Sequence, residues 1–240
     1  MIDRAMRLAI VKTGTPPAPL DERYPSYPQM MERMLAPLSG RFCFATTSVD
    51  DGALPKPADF DALLITGSPA GVYEEHSWIE PLKDLIRAAA RARRPQVGIC
   101  FGHQIMAAAF GGEVAKSDKG WGIGLHAYSV DGGAKWMTPG ASAIACAVSH
   151  QDQVMKAPDG ARVLAGSDFC PNGLIEYAQG PAISFQMHPE FETAYAADLY
   201  RLRRNRIGEE KVEDALASLK GRSDRGLMAR WIANFYLQSD

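Results

Sequence analysis

Short apolar runs at 8–11, 42–46, 62–66 and 97–99 alternate with segments whose apolar residues recur at helical spacing, and each run ends in a polar or glycine-bearing turn. That alternation predicts an α/β fold, a mainly parallel central sheet flanked by helices. Helical spacing covers 27–38 and 78–91. In the second segment Trp78, Ile79, Leu82, Leu85 and Ile86 share a face, with Pro81 tolerated in the first turn. After Phe110 the pattern changes to shorter segments at 120–124, 143–148, 162–165 and 174–177, which read as further strands, some antiparallel. They form a small addition to the sheet. From Phe191 onward the chain reads as helical, broken once at 221–224. The expected organisation is therefore one domain, 1–240, with a helical C-terminal extension from about 192 to 240. The proline-rich stretch 15–28 is expected to be a surface loop near the end of the first strand.

With 240 residues, 46% of them hydrophobic, the chain can bury a core without disulfides or metals. A net charge of −2 argues against a protein that holds a phosphate backbone by bulk electrostatics, so nucleic acid is not an expected partner. No stretch approaches the roughly 20 uncharged apolar residues of a membrane span, and Asp3 and Arg4 interrupt any apolar leader. A soluble, cytoplasmic protein with no membrane partner is expected. Cys43, Cys100, Cys146 and Cys170 are far apart and unpaired in sequence, which fits neither a disulfide framework nor a zinc site.

Gly98-Ile99-Cys100-Phe101-Gly102-His103-Gln104 sets a cysteine between a short strand and the apolar helical run 105–110. This is a nucleophile elbow with sulfur in place of oxygen. Its glycines belong to a cramped turn on which a neighbouring Cβ would collide with the adjoining strand or helix. The helix N-terminus favours a thiolate, and the Phe101 N–H faces the place where an oxyanion would form. A thiol nucleophile needs a base. The strongest candidate is His188 in Phe185-Gln186-Met187-His188-Pro189-Glu190, because in extended chain Glu190 lies on the same side and can hold the ring. His150 ranks second, since no carboxylate is placed behind it as naturally.

These two motifs, in this order, resemble the class I glutamine amidotransferases, which carry a Cys-His-Glu triad; the likeness is to stand-alone relatives of the amidotransferase domain of GMP synthase. It covers most of the chain, from the first strand to beyond Glu190, and 230–235 looks like the tail of those stand-alone proteins. The resemblance implies flavodoxin-like layering, with Cys100 as nucleophile, His188 as general base and acid, and Glu190 as its orienter. It implies that the backbone N–H of Gly67, in Ile65-Thr66-Gly67-Ser68-Pro69, joins that of Phe101 in an oxyanion hole. Gln104 matches the family's substrate-holding glutamine. Ser149, His150 and Gln151 fall in a turn similar to the family's Ser-His-x-Asp, with Gln151 where glycine is frequent, a departure that bears on pocket shape.

The implied chemistry is hydrolysis of the γ-carboxamide of glutamine through a Cys100 thioester, without metal or organic cofactor, the ammonia being released or passed to a synthetase. No Ser-Gly-Gly-x-Asp-Ser motif of an ATP pyrophosphatase occurs here, so such an acceptor would be a separate chain. A γ-glutamyl peptidase acting on glutathione-like compounds is the alternative enzyme, and a non-catalytic binding or regulatory protein of the same fold is the third reading. Other features read as structure. The arginine runs 91–94 and 201–206 are solvated helix faces, and Met30, Met31 and Met34 are core. His103 is open between packing and substrate contact, while His76 and His126 have no constellation around them. The glycines of 120–124 precede a strand rather than a helix, so they are no dinucleotide motif.

Overall fold

The computed structural model describes residues 5–38 and 40–238. In chain order the elements are β1 (Met6–Lys12), α1 (Leu20–Arg23), α2 (Tyr27–Leu35), β2 (Phe42–Ser48), β3 (Ala62–Ile65), α3 (Ile79–Arg91), β4 (Gln96–Ile99) and α4 (Phe101–Ala109). There follow β5 (Glu113–Lys116), β6 (Gly122–Val130), β7 (Ala143–His150), β8 (Asp152–Lys156), β9 (Arg162–Gly166), β10 (Leu174–Glu176) and β11 (Ala182–Phe185). The chain closes with α5 (Thr193–Leu202), α6 (Arg204–Ile207), α7 (Glu209–Ser218) and α8 (Arg225–Gln238).

Nine strands form one sheet in the order β2-β1-β3-β4-β11-β10-β9-β6-β7. The first five run parallel, and from β10 each joins its neighbour antiparallel. Successive side chains of the central strands feed opposite layers, as a pleated strand requires. Leu8, Ile10, Leu64, Val97 and Ile99 pack with Met31, Leu35, Trp231 and Ile232 of α2 and α8. Ala9, Val11, Leu63 and Ile65 pack with Leu82, Ile86, Ile105 and Met106 of α3 and α4. A third cluster joins Ile123 and Ala147 of β6 and β7 to Leu199, Val212 and Ala215 of α5 and α7. Among the described residues no helix is long and apolar enough to cross a membrane.

Two expectations need correction, and one element was not foreseen. The proline-rich stretch is not wholly irregular: it contains α1, and Pro28 sits in the first turn of α2, where a missing N–H costs nothing. It is not wholly superficial either, because Leu20 and Tyr27 are buried against Phe191 and Tyr195. The C-terminal segment breaks at Arg203 and Gly208 as well as after α7. A second sheet, β5 paired antiparallel with β8, was not anticipated from the pattern.

Candidate active site

Strand register alone gathers the site. β4 and β11 are parallel with Phe185 opposite Ile99, so the residues after both strands leave the sheet at the same edge. β3 flanks β4 on its other side, Ile65 opposite Gly98, and brings Thr66 and Gly67 to that edge too. The site thus lies outside the carboxyl ends of parallel strands, where α/β sheets bind ligands.

Cys100 forms the turn from β4 into α4 with φ 53° and ψ −99°, a conformation that costs a non-glycine residue about 1–3 kcal/mol. The surroundings impose it. The Cys100 N–H donates to Phe185 O at 2.8 Å and the Gly102 N–H to Thr66 O at 3.2 Å, fastening the turn to both neighbouring segments. A Cβ on Gly98 would collide with the Gly102 carbonyl and stand 2.6 Å from Met106 Sδ, and one on Gly102 would collide with the Ile65 carbonyl oxygen. Helix and strands therefore approach only over bare backbone. Among the described residues neither Phe101 N–H nor Gly67 N–H makes a backbone hydrogen bond. Gly67 borders the thiol and the imidazole, since a Cβ there would lie 3.8 Å from Cys100 Cβ and 3.2 Å from His188 Cε1.

His188 Nδ1 donates to Glu190 Oε1 at 2.7 Å, with both side chains buried. The ring borders the same small cavity as Cys100. Burial would lower the His188 pKa, but the charge of Glu190, the nearness of Cys100 and the hydrogen bond to Glu190 raise it above its ordinary 6.5. Phe191 stacks on the imidazole at 3.9 Å with an 8° interplanar angle, fixing the ring from one face. From α8, Arg225 donates to Pro189 O at 3.0 Å and to Glu190 O at 3.3 Å, which holds the segment bearing the carboxylate.

His150, the second-ranked base, lines the larger cavity beside Cys100 but not the smaller one that holds His188. Its Nδ1 contacts Asp152 O at 3.0 Å, and burial pushes its pKa down to about 3, leaving a neutral ring. His103 is completely buried, bonded through Nδ1 to Ser184 Oγ at 2.7 Å, and burial lowers it likewise to about 3. His103 is thus a packing residue. His76 pairs with Glu74 at 3.1 Å on the surface, and His126 contacts Ile123 O at 3.1 Å.

Gln104, Ser149, His150 and Gln151 all line one cavity with Cys100. A smaller cavity holds Cys100, Gly67, Ser149 and His188. Gln186 had been given no role by the sequence, yet its Nε2 points at Cys100 Sγ, 3.6 Å away, while its Oε1 accepts from Gln104 Nε2 at 3.2 Å. Arg203 and Arg206, read as part of a solvated run, instead reach the larger cavity. Among the described residues no group of three His, Cys, Asp or Glu is placed to hold a metal ion.

Residues 24–200 match the sequence profile of the family Glutamine amidotransferase class-I. The chain belongs to the class I glutamine amidotransferase family. This family member is 27% identical over 250 residues to a glutamine amidotransferase-like protein of Schizosaccharomyces pombe, covering 96% of this chain and 98% of that one. It is 30% identical over 183 residues to gamma-glutamyl peptidase 2 of Arabidopsis thaliana, covering 72% of each. Its fold is that of a glutamine amidotransferase from Thermotoga maritima, with TM-score 0.78, 18% identity, and 97% of this chain and 99% of that one covered.

Proposed function

We propose that this amidotransferase hydrolyses the γ-amide bond of glutamine or of a γ-glutamyl compound through a γ-glutamyl thioester on Cys100. What supports the reading above all is one observation: His188, hydrogen-bonded to the buried Glu190 carboxylate, borders the same small cavity as Cys100, which sits on a strained strand-to-helix turn. Cys100 Sγ, as thiolate, attacks the γ-carbonyl carbon, and the carbonyl oxygen takes the negative charge beside the N–H groups of Phe101 and Gly67. The C–N bond then breaks. The His188 imidazolium gives its proton to the departing nitrogen, leaving ammonia or an amine. Neutral His188 next takes a proton from water as the water oxygen attacks the thioester, and glutamate leaves as the thiolate re-forms. Glu190 keeps Nδ1 as the donor nitrogen, so the other ring nitrogen faces sulfur. Residues 1–240 act as one unit, with the segment from about 192 onward completing the pocket wall. Freed ammonia is released or passed to a synthetase on another chain.

A glutamine chloroketone tests the reading, because it is recognised as a γ-glutamyl compound and alkylates a thiolate. Cys146 and Cys170 are buried, and burial raises both thiols, Cys170 to about 12, so exposed Cys43 is the competitor. Peptide mapping is expected to find the label on Cys100 before any other cysteine, with Cys100→Ala folded and devoid of hydrolysis. Equal labelling of Cys43 and Cys100, or full turnover by Cys100→Ala, would reject the thioester route.

A further inference from the structure

Gln186 follows β11 and is completely buried, its backbone N–H donating to Gly173 O at 2.9 Å. Its side-chain amide spans from α4 to the nucleophile, with Oε1 3.2 Å from Gln104 Nε2 and Nε2 3.6 Å from Cys100 Sγ. None of the steps at Cys100, His188 and Glu190 draws on this amide.

Which end of the amide faces sulfur follows from donors and acceptors alone. The Asp152 carbonyl oxygen can only accept, so the atom of Gln104 that lies 2.9 Å from it is the nitrogen. The second N–H of that nitrogen meets Gln186, whose near atom must then be its oxygen. Gln186 Nε2, a donor, is left for Cys100 Sγ. Turning Gln104 over would set oxygen against oxygen, and turning Gln186 over would set nitrogen against nitrogen. Water cannot compensate for either, because Gln104 is 3% exposed and Gln186 0%. Both N–H groups of Gln104 are used in this way, so its Oε1 alone is left for a ligand in the larger cavity.

A thiol sulfur is a weak acceptor, whereas a hydrogen bond to an ionised acceptor is a strong one. An N–H held against sulfur therefore favours the thiolate. We infer that Gln186 is a further catalytic residue, which hydrogen-bonds the Cys100 thiolate, and that Gln104 is the positioning residue that directs its amide. This rests on the thioester reading and deepens it. On ionisation the thiol proton goes to His188, while Gln186 keeps both of its own. The hydrogen bond weakens as a sulfur electron pair enters the new S–C bond. It re-forms when water attacks the thioester and the S–C bond returns its electrons to sulfur, which makes the thiolate a better leaving group. A stabilised thiolate is also a somewhat weaker nucleophile. Gln186 thus increases how much thiolate exists near neutral pH, not how fast each thiolate attacks.

That division supplies the test. Iodoacetamide is small and uncharged and needs no γ-glutamyl recognition, so its rate of alkylating Cys100 across pH 5–10 reads the thiolate directly. Exposed Cys43 is the internal reference in the same peptide maps. Gln186→Met keeps the length of the side chain and removes the donor. Alkylation of Cys100 is expected to slow by about tenfold at pH 7, the scale of a hydrogen bond to a charged group, and to approach the native rate at high pH, where the thiol ionises unaided. Cys43 should be unaffected. Gln104→Met, which frees the amide to turn, is expected to give a smaller loss of the same form, and it carries the test if Gln186→Met does not fold. An unmoved pH profile would overturn the inference. So would a loss by the same factor at every pH, which is the mark of a displaced turn. With an unmoved profile, Cys100-dependent hydrolysis of glutamine would still keep the thioester reading. A displaced profile without Cys100-dependent hydrolysis of any γ-glutamyl compound would reject the thioester reading and leave the thiolate contact standing.

Discussion

Replacing Glu190 by Gln removes one charge from beside His188 while keeping the shape of the side chain. The bond it alters is short, 2.7 Å, and its two side chains are 5% and 0% exposed, so water does little to compensate. A charge-assisted hydrogen bond contributes about 1.5–3 kcal/mol, and each 1.36 kcal/mol at the transition state is tenfold, so kcat/KM should fall about 10- to 150-fold. Stability should fall too. Glu190 Oε2 is buried with no hydrogen-bond partner among the described residues, so a glutamine that keeps its oxygen on Nδ1 turns its amide N–H groups into that unpartnered place. An unsatisfied buried donor costs about 1–3 kcal/mol. The pH profile separates this mechanism from general damage. Burial lowers the His188 pKa and Glu190 heads the influences that raise it, so the variant should have the lower value. Expulsion of the amine needs imidazolium, hence activity is lost as pH rises through that pKa, and the alkaline limb should move to lower pH. The assay is release of glutamate from glutamine or γ-glutamylglycine across pH 6–10, with urea unfolding in parallel. A variant within threefold of the native rate, with its alkaline limb unmoved, would refute the role given to the carboxylate.

How much of this was legible depends on whether the cause was local. The runs that became β1, β3 and β4 are buried on both faces and so read as continuous apolar segments whatever their neighbours. The elbow was legible because half of its constraint is local, the Gly102 carbonyl leaving no room for a Cβ at 98, whereas the bar to one at 102 comes from Ile65 on the neighbouring β3. Convergence of His188 on Cys100 is a fact of strand pairing, β11 beside β4, which no local pattern encodes. Residue chemistry, a thiol that needs a base and a histidine two residues from a carboxylate, nominated the pair, and the family resemblance supported the same positions. β5 was missed because Glu113, Ala115 and Lys116 are exposed and its partner β8 is distant in sequence, so neither shows a buried run. The arginine run misled for a related reason. Composition shows four cations, but which of them face solvent is fixed by the helix break at Arg203 and by Trp121, a residue far upstream.

The elbow and the buried histidines yield the remaining predictions. Gly98→Ala and Gly102→Ala each force backbone apart, and overpacking of this kind costs about 1–3 kcal/mol or more, readable as a lower urea midpoint. Chloroketone labelling should fall with it, since the displaced turn carries the sulfur, and a native midpoint in either variant would contradict the packing described. Acid should destabilise the protein before its carboxylates titrate. His103 and His150 are buried as neutral rings with pKa pushed down to about 3, whereas in the unfolded chain they titrate near 6.5. Their contribution to stability is thus present above 6.5 and lost as pH falls from there toward 3, because the unfolded chain binds protons that the folded one refuses. Each histidine contributes a slope approaching about 1.4 kcal/mol per pH unit once pH is well below 6.5, and the two together twice that. His188 adds nothing to this slope, since with its raised pKa it is protonated in both states there. Urea midpoints at pH 7, 6, 5.5 and 5 should therefore fall progressively more steeply, and His103→Gln should make the decline shallower. A flat stability from pH 7 to 5 would show that the two rings take up protons in the folded state, and hence that their burial beside Ser184 and Phe169 is not dry.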